Sequence, residues 1–432
     1  MSRIVLIGAG SVEFTRNVLA DILGYPELQG TATVVLHDID AERLGIGERL
    51  ARLLNEQTKA GAAVESHLAR RAALEGADYV INEIQVGGFE ATLKDFEVPR
   101  RFGLRQTIAD TIGIGGIFRG LRTIPVMLGI GRDMAELCPQ ALLLNYTNPM
   151  AVLPWAVYEG TPFTNVVGVC HSVRDTHAHL AKLVGIPVEE ITFATAGFNH
   201  QAFVLRFEHR GEDLYPKLRE LVERDPDMQR RVRVEIFRRF GYFPTESSEH
   251  SSEYVPWFLH HDDQVGLFHI PIDEYIHRSR ANLDELARLK DALERGDALD
   301  ALPTSELASE IVHAMETGVP RSVYGNVHNG GLIENLPAEC CVEVPCLVDG
   351  GGVRPTRIGR LPPQLAALNR TFLNVADLTV RAGLEERRDL VYQAALLDPN
   401  TASTLTTAQI VAMCDELIEA HGDLLPEGIR RG

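Results

Sequence analysis

Long hydrophobic runs are missing from this sequence of 432 residues. No uninterrupted apolar stretch approaches the roughly 20 residues that a helix needs to cross a bilayer. The first residues lead directly into a strand pattern, without the basic segment, apolar core and cleavage site of a secretory signal. We therefore expect a protein that is neither inserted in a membrane nor secreted, with a cytoplasmic location.

Positive charge and cysteine are also scarce. Lysine and arginine number 42 against 60 acidic residues, and the net charge of −18 argues against nucleic acid or an anionic membrane as a partner. The cysteines lack the spacing of a disulfide framework, and two are adjacent, which favours reduced thiols in the cytosol. The six are Cys138, Cys170, Cys340, Cys341, Cys346 and Cys414.

The composition is that of an ordinary globular protein, with 45% hydrophobic and 24% charged residues. Strand patterns alternate with helical patterns over the first half, which predicts a doubly wound parallel sheet in an α/β fold. After residue 197 the pattern changes. Residues 203–209 alternate like an antiparallel strand, and long helical patterns follow, two of them over residues 216–240 and 283–317.

A short strand followed by a glycine-rich turn opens the chain. The apolar residues 3–7 lead into Gly8, Gly10 and Ser11, which begin like a dinucleotide-binding fingerprint. Glu13 takes the place of the third glycine, a change that affects helix packing more than phosphate binding. We expect the backbone N–H groups of this turn to bind a pyrophosphate.

A second predicted strand, residues 33–37, ends at Asp38. A carboxylate there could accept the ribose hydroxyls and would repel a 2′-phosphate, which favours NAD over NADP. The alternative is that Asp38 only caps the helix that follows. The pattern predicts a Rossmann-like NAD-binding domain over residues 1–196 and an α+β domain over residues 197–432. This arrangement resembles that of the lactate and malate dehydrogenases.

Cys170 and His200 each end a further apolar run. We expect them at the ends of neighbouring strands, where a thiolate and an imidazole could bind a first-row metal ion, with substrate or water completing the shell. From the residue types alone, a buried free cysteine and a hydrogen-bonded core histidine are the better explanation.

Four motifs resemble glycoside hydrolase family 4, and more narrowly its melibiose-hydrolysing α-galactosidases. They are Gly-Ala-Gly-Ser at 8–11, Asn-Tyr-Thr-Asn-Pro-Met at 145–150, Cys-His-Ser-Val at 170–173 and Gly-Phe-Asn-His at 197–200. Shorter similarities at 106–111, 115–117, 335–337 and 397–399 extend the resemblance over nearly the whole chain. This NAD-dependent family departs from two-carboxylate glycosidase chemistry.

The resemblance implies NAD and Mn²⁺ as cofactors, with Cys170 and His200 as metal ligands. It also implies a route of oxidation at C3 of the sugar, loss of the C2 proton, elimination at C1, addition of water and reduction. The C3 ketone would acidify the C2–H bond, and the net reaction would be hydrolysis. A cysteine ligand by itself would favour zinc or a later transition ion, so the expectation of Mn²⁺ comes from the resemblance.

Tyr254 matches the tyrosine that serves as the base in this family. Its phenol must become more acidic than usual to work at neutral pH, and a nearby cation could do this. Without the resemblance, Glu253 and His250 would be equally good candidates, and Tyr254 could be an ordinary half-buried aromatic.

Two residues are candidates for the proton donor to the leaving group. His171 occupies the position where phospho-α-glucosidases of the family carry an aspartate donor, although it could instead hold the substrate. Asp110 lies in a polar loop before a glycine-rich segment, where a turn residue bonded to its own backbone is the alternative.

Asn148, just before Pro149, could hydrogen-bond the sugar hydroxyls or the nicotinamide region, or could belong to a plain Asn-Pro turn. Family members that act on phosphorylated sugars carry an arginine where this chain has Thr92, and a hydroxyl cannot replace cationic phosphate binding. The resemblance therefore favours an unphosphorylated hexoside.

The Cys-His-Ser-Val motif favours an α-galactoside, a small molecule, as the substrate. We expect the enzyme to be a homodimer or homotetramer. α-Glucosidases and uronidases of the family differ there by one or two residues, and Arg174 could bind the carboxylate of a galacturonide. A lactate/malate-type NAD dehydrogenase would share the first half of the chain but would have no need of a metal thiolate.

Overall fold

The computed structural model describes residues 2–11, 13–297 and 304–432, the side chain of Glu13 excepted. Within these ranges thirteen strands form one sheet. The strands are β1 (Ser2–Ile7), β2 (Ala32–His37), β3 (Ala63–His67), β4 (Tyr79–Asn82), β5 (Leu142–Asn145), β6 (Val166–Gly168), β7 (Ile191–Phe198), β8 (Gln201–His209), β9 (Glu212–Asp213), β10 (Phe243–Pro244), β11 (Arg321–His328), β12 (Cys341–Asp349) and β13 (Gly352–Pro355).

Helices connect these strands and cover the sheet. They are α1 (Glu13–Gly24), α2 (Ala41–Thr58), α3 (Arg70–Leu74), α4 (Gly88–Arg101), α5 (Gly113–Leu137), α6 (Val152–Gly160), α7 (Ser172–Val184), α8 (Tyr215–Arg224), α9 (Pro226–Gln229), α10 (Val232–Phe240), α11 (Ser248–Glu253), α12 (Asp262–Leu267), α13 (Glu274–Arg295), α14 (Leu307–Thr317), α15 (Pro363–Glu385), α16 (Arg388–Leu397), α17 (Pro399–Thr404), α18 (Thr407–His421) and α19 (Glu427–Arg431). Of the predicted helical run 283–317, residues 298–303 lie outside the described residues.

The first six strands run parallel in the order β3-β2-β1-β4-β5-β6. The residues of β1, β2, β4, β5 and β6 are largely apolar and buried, as expected for a sheet covered on both faces. The edge strand β3 has no buried residue. The prediction of a Rossmann-like doubly wound sheet is confirmed. The strand order reverses between β1 and β4, and such folds bind ligands outside the carboxyl ends of the strands at that point.

The sheet continues from β6 through β11, β12, β7, β8 and β10, with antiparallel pairing throughout. The expectation that Cys170 and His200 follow neighbouring strands is wrong, because β11 and β12 lie between β6 and β7. Chain order does not determine this insertion, since β11 begins more than a hundred residues after β7 ends. The predicted domain boundary at residue 196 falls inside β7, and the two-domain division stays a prediction.

Within the part of the chain that the structure describes, no helix is both long enough and apolar enough to cross a membrane.

His177 on α7 gives the fold a sensitivity to acid. Its ring stacks on Phe193 at 3.9 Å between ring centroids, and its Nε2 lies 2.8 Å from Thr195 Oγ1. Burial lowers the pKa of His177 to about 4. Because the unfolded chain takes up this proton near pH 6.5, stability falls as the pH drops from 6.5 to 4. We expect His177→Phe to reduce the loss of unfolding free energy between pH 7 and pH 5 by about 2 kcal/mol.

Urea titrations at both pH values measure this difference. Phenylalanine keeps the stacked ring but cannot titrate. The matched control is His277→Phe at an exposed histidine, for which we expect the wild-type pH dependence. If His177→Phe unfolds with an unchanged pH dependence, His177 is not the group that titrates.

Candidate active site

The two expected metal ligands meet although their strands are not neighbours. Cys170 lies two residues beyond β6, and His200 lies in the two-residue turn between β7 and β8. The Sγ atom of Cys170 is 3.3 Å from Nε2 of His200. His200 has a φ of +64°, a left-handed conformation that is uncommon for a residue other than glycine.

Glu246, which follows β10, joins this pair. Its Oε2 lies 3.4 Å from His200 Nε2, and the ligand atoms of the three residues all lie within 4.8 Å of one another. Glu246 was not among the residues predicted from the sequence, because it belongs to no recognised motif. One signal was available: it opens the polar run, residues 246–253, that leads to Tyr254.

The protonation of the three side chains depends on burial and on their mutual charges. Burial raises the pKa of the Cys170 thiol, and the carboxylates of Glu343 and Glu246 raise it further. Burial would also raise the pKa of Glu246, but the charges of His250 and His200 hold it well below its usual range. Burial lowers the pKa of His200, which keeps its imidazole neutral. An anionic carboxylate, a neutral imidazole and a thiol that a cation would deprotonate suit a divalent metal ion.

Tyr254 lies beside Nδ1, the other imidazole nitrogen of His200. Its phenol is buried, with the oxygen 3.2 Å from Nδ1 of His200, and Thr111 Oγ1 lies 2.9 Å from the same nitrogen. Burial raises the pKa of Tyr254 well above its ordinary value, and the carboxylates of Glu246 and Asp110 raise it further. The phenol needs a compensating positive charge to act as a base.

His250 is a cation beside this tyrosine. Its Nδ1 lies 3.3 Å from Glu246 Oε1, and its Nε2 lies 3.5 Å from Asp110 Oδ1. Burial would lower the pKa of His250, but the two carboxylates outweigh burial and raise it well above its ordinary value. The ring of His250 is centred 6.2 Å from the ring of Tyr254. A protonated imidazole paired with two carboxylates is unsuited to act as a base.

Glu253, the other alternative for the base, holds a loop in place. Its carboxylate accepts backbone hydrogen bonds from Thr107 at 2.6 Å, from Ile108 at 3.1 Å and from Ala109 at 3.0 and 3.1 Å. Ala109 has a φ of +51°, so the loop turns sharply just before Asp110. Burial raises the pKa of Glu253 to about 7.

Asp110 and Asn148 are hydrogen-bonded to each other. Asn148 Nδ2 donates to Asp110 Oδ2 at 2.8 Å, and Thr111 Oγ1 donates to Asp110 Oδ1 at 2.7 Å. Burial would raise the pKa of Asp110, but the hydrogen bond and charge of His250 hold it well below its usual range. The buried Oδ1 of Asn148 has no hydrogen-bond partner among the described residues and is free to accept one from a ligand.

His171 pairs with Glu306, a carboxylate that is not part of the cluster around His200. Its Nε2 lies 2.8 Å from Glu306 Oε2, and Tyr146 donates to the same oxygen at 3.0 Å. The rings of Phe14 and Tyr146 stack against His171 with centroids 6.2 and 5.9 Å away. Burial would raise the pKa of Glu306, but its hydrogen bonds from His171 and Tyr146 lower it. Glu306 was not among the residues predicted from the sequence, because it lies 135 residues from His171 in a segment without a motif.

The glycine-rich turn at residues 8–11 packs against the end of β2. Gly8 has a φ of +90°, and a Cβ at Gly10 would lie 2.8 Å from Asp38 Oδ2. The backbone N–H of Gly10 donates to Asp38 Oδ2 at 2.9 Å. The alternative that Asp38 caps α2 is wrong, because Asp40 is the N-cap. Asp38 thus presents its carboxylate beside the turn.

Thr92 and Arg174, the two residues that bear on the choice of substrate, each form hydrogen bonds within the protein. Thr92 is buried in α4, where it donates to the carbonyl of Gly88 at 3.3 Å and accepts from Gln85 at 3.1 Å. The guanidinium of Arg174 donates to the carbonyl of Ser305.

Comparison with known proteins identifies relatives over the full length of the chain. The sequence model of the family 4 glycosyl hydrolase matches residues 3–186, and that of the family 4 glycosyl hydrolase C-terminal domain matches residues 195–401. An α-galactosidase of Bacillus subtilis (strain 168) is 43% identical over 99% of this chain and 100% of its own. An α-galactosidase of Rhizobium meliloti (strain 1021) is 33% identical over 98% of this chain and 89% of its own.

A solved structure shares the fold. The crystal structure of a 6-phospho-α-glucosidase from gut microorganisms, in complex with NAD and Mn²⁺, superimposes with a TM-score of 0.83 and 20% sequence identity, covering 99% of each chain.

Proposed function

Because the chain belongs to family 4 of the glycosyl hydrolases, we propose that it hydrolyses α-galactosides, with NAD and Mn²⁺ as cofactors. The observation that carries this proposal is the convergence of Cys170, His200 and Glu246, with the Tyr254 phenol 3.2 Å from the same imidazole. The two relatives at 43% and 33% identity, both α-galactosidases, support the choice of sugar.

The candidate ligands fit a divalent metal ion. Nδ1 of His200 is engaged by Thr111 and Tyr254, which leaves Nε2 for the ion. Glu246 adds an oxygen ligand of the kind that Mn²⁺ prefers, which weakens the case for zinc that the thiolate alone would make. Three protein ligands leave positions open for the sugar oxygens, as a catalytic site requires.

The turn at residues 8–11 fits NAD. A Cβ at Gly10 would lie 2.8 Å from Asp38 Oδ2, so glycine lets the turn pack closely on this acid. Backbone N–H groups at the start of α1 can then bind a pyrophosphate. The oxygens of Asp38 accept from the backbone of Gly10 and of Asp40, each at 2.9 Å, and each oxygen keeps a lone pair for a ribose hydroxyl. Its negative charge disfavours the 2′-phosphate of NADP.

When bound, NAD supplies hydride acceptance and return, and the metal ion supplies a Lewis acid for the sugar oxygens. Tyr254 removes the C2 proton. With Nε2 of His200 engaged, the Nδ1–H group points to the Tyr254 oxygen or to Thr111 and favours the phenolate. The charge of His250 acts in the same direction.

His171 serves as the proton donor to the leaving oxygen, and Glu306 orients its ring through the bond at 2.8 Å. Asp110 is unsuited to this step because its low pKa keeps it ionised. Its role is to orient the Asn148 amide, whose free Oδ1 accepts a hydrogen bond from a sugar hydroxyl.

The sugar is an unphosphorylated hexoside, because Thr92 offers no positive charge and its hydroxyl is bonded inside α4. The enzyme works in the cytoplasm as a homodimer or homotetramer. Six free cysteines among the described residues are compatible with a reducing compartment.

Turnover of 4-nitrophenyl α-galactoside in the presence of NAD⁺, Mn²⁺ and a reductant tests the proposal. We expect release of nitrophenol that depends on both cofactors, without accumulation of NADH. The matched substrates are the α-glucoside, the α-galacturonide and the β-galactoside. Faster turnover of the α-glucoside or α-galacturonide would contradict the sugar assignment, and stoichiometric growth of NADH absorbance would indicate a dehydrogenase instead.

A further inference from the structure

Four residues form a row across the sheet between the two strands that lead to Cys170 and His200. Gly168 on β6 pairs with Asn326 on β11, Asn326 pairs with Glu343 on β12, and Glu343 pairs with Gly197 on β7. Gly168 lies two residues before Cys170, and Gly197 lies three residues before His200. The row therefore bridges the gap that β11 and β12 open between the two ligands.

Side chains continue the bridge. Asn326 Nδ2 donates to the carbonyl of Gly168 at 3.3 Å and to Glu343 Oε1 at 3.4 Å. Asn199 Nδ2 donates to the same Oε1 at 3.3 Å. One carboxylate oxygen thus connects the turn that carries His200 with the strand that leads to Cys170. Asn199, Asn326 and Glu343 are all 0% exposed.

The backbone around this bridge leaves little freedom. A Cβ at Gly168 would lie 2.9 Å from Cβ of Asn326, so the two strands approach as closely as glycine allows. His200 keeps its φ of +64° only if its surroundings impose it, and its neighbour Asn199 is the residue that Glu343 holds.

If this bridge of buried polar side chains served only to hold the strands together, it would lower the free energy of unfolding. Oδ1 of Asn199, Oδ1 of Asn326 and Oε2 of Glu343 are buried and lack a hydrogen-bond partner among the described residues. Apolar residues of similar volume would avoid this desolvation cost, since buried polar groups stabilise a core only when they are satisfied. Their arrangement is better explained by the geometry that they impose than by stability.

We infer that Asn326 and Glu343 are positioning residues, which set the separation of Cys170 Sγ and His200 Nε2 and so the affinity of the metal site. The inference rests on the metal site of the proposed function. Groups that orient metal ligands without contacting the ion commonly change metal affinity by about 10–100-fold when they are replaced.

Titration of the metal-free full-length chain with Co²⁺ alone, in the presence of a non-thiol reductant, tests this inference without any measurement of activity. The readouts are the dissociation constant and the thiolate-to-cobalt absorption band. We expect Glu343→Leu to weaken binding by about 10–100-fold and to change the band. Glu343→Gln keeps an oxygen acceptor for both asparagines and removes a carboxylate that raises the pKa of the Cys170 thiol, so it should bind at least as tightly as the wild type. Asn326→Ser is the second variant, should Glu343→Leu not fold.

The matched control is Asn329→Leu. Asn329 is also 0% exposed and follows β11, but its amide donates to the carbonyls of Ile333, Leu336 and Pro337, away from the two ligands. We expect it to lower the melting temperature while the cobalt affinity and band stay unchanged.

Three outcomes would overturn the inference. Wild-type affinity and band in a folded Glu343→Leu or Asn326→Ser would do so, and so would an Asn329→Leu variant that weakens cobalt binding to the same degree. Loss of affinity in Glu343→Gln equal to that in Glu343→Leu would show that the charge of Glu343, and not its position, matters. A wild-type chain that shows no thiolate–cobalt band would instead contradict the proposed metal site itself.

Discussion

Replacement of Cys170 by serine is expected to abolish Mn²⁺ binding and to lower kcat on α-galactosides by about 1,000-fold or more. A serine hydroxyl does not ionise under conditions where a metal ion deprotonates a thiol, so the site loses an anionic ligand. A catalytic metal contributes several kcal/mol to the stabilisation of a transition state, and each 1.36 kcal/mol corresponds to a factor of ten in rate. Calorimetric titration with Mn²⁺ and initial rates with 4-nitrophenyl α-galactoside measure the two effects.

Metal binding to the wild type should also release a proton. Burial and the nearby carboxylates raise the pKa of Cys170, so the metal-free thiol is protonated at neutral pH. Because the thiolate is the ligand, raising the pH favours binding. We expect the affinity for Mn²⁺ to increase by up to about tenfold with each unit of pH increase, as long as the pH stays below that pKa. Titrations in two buffers with different ionisation enthalpies count the protons that are released when the wild type binds Mn²⁺.

Cys138→Ser is the matched control for both experiments. Cys138 is also a free cysteine, but it follows α5 and lies outside the ligand cluster. It should retain Mn²⁺ affinity and turnover. A Cys170→Ser chain that melts at the wild-type temperature and keeps full turnover would contradict the metal role.

Local patterns predicted the first half of the fold well because the interactions that form it are local. The glycine turn after β1, the acid after β2 and the alternation of strands and helices are each visible within a few tens of residues, and the right-handed crossover rule then limits the sheet order. The insertion of β11 and β12 between β6 and β7 depends on pairing between segments more than a hundred residues apart. No periodicity in the sequence records such a pairing.

The residues of the candidate site divide in the same way, into those that local motifs predict and those that only the fold brings into contact. Cys170, His200 and Tyr254 belong to motifs, and the structure brings their functional atoms together. Glu246 and Glu306 belong to no motif, and each becomes visible only through the side chain that it meets in space. The roles of Glu253 and His250 were indistinguishable from spacing, because both depend on partners in the 107–111 loop.

Tyr254→Phe should lower kcat by about 100- to 10,000-fold, the range over which general bases contribute, and should stop exchange at C2. The variant loses only the phenol oxygen, which lies 3.2 Å from His200 Nδ1. A substrate deuterated at C2 reports the step directly. With the wild type we expect solvent hydrogen at C2 of the product or a slower rate with the deuterated substrate, whereas the variant should leave the deuterium in unreacted substrate. Since burial and nearby carboxylates raise the pKa of this phenol, wild-type activity should increase with pH as the base ionises.

A second readout separates a base from a positioning group. If Tyr254 acts only through the orientation of His200, Tyr254→Phe would weaken Mn²⁺ binding together with turnover, but a base predicts unchanged affinity and a lost C2 exchange. Tyr158→Phe is the matched control, because Tyr158 donates its hydroxyl to the carbonyl of Glu339 and touches none of the candidate ligands. Exchange at C2 that continues at the wild-type rate in Tyr254→Phe would assign the base to another residue. His250 and Glu253 would be poor replacements, since the first is held as a cation and the second is bonded to three backbone amides.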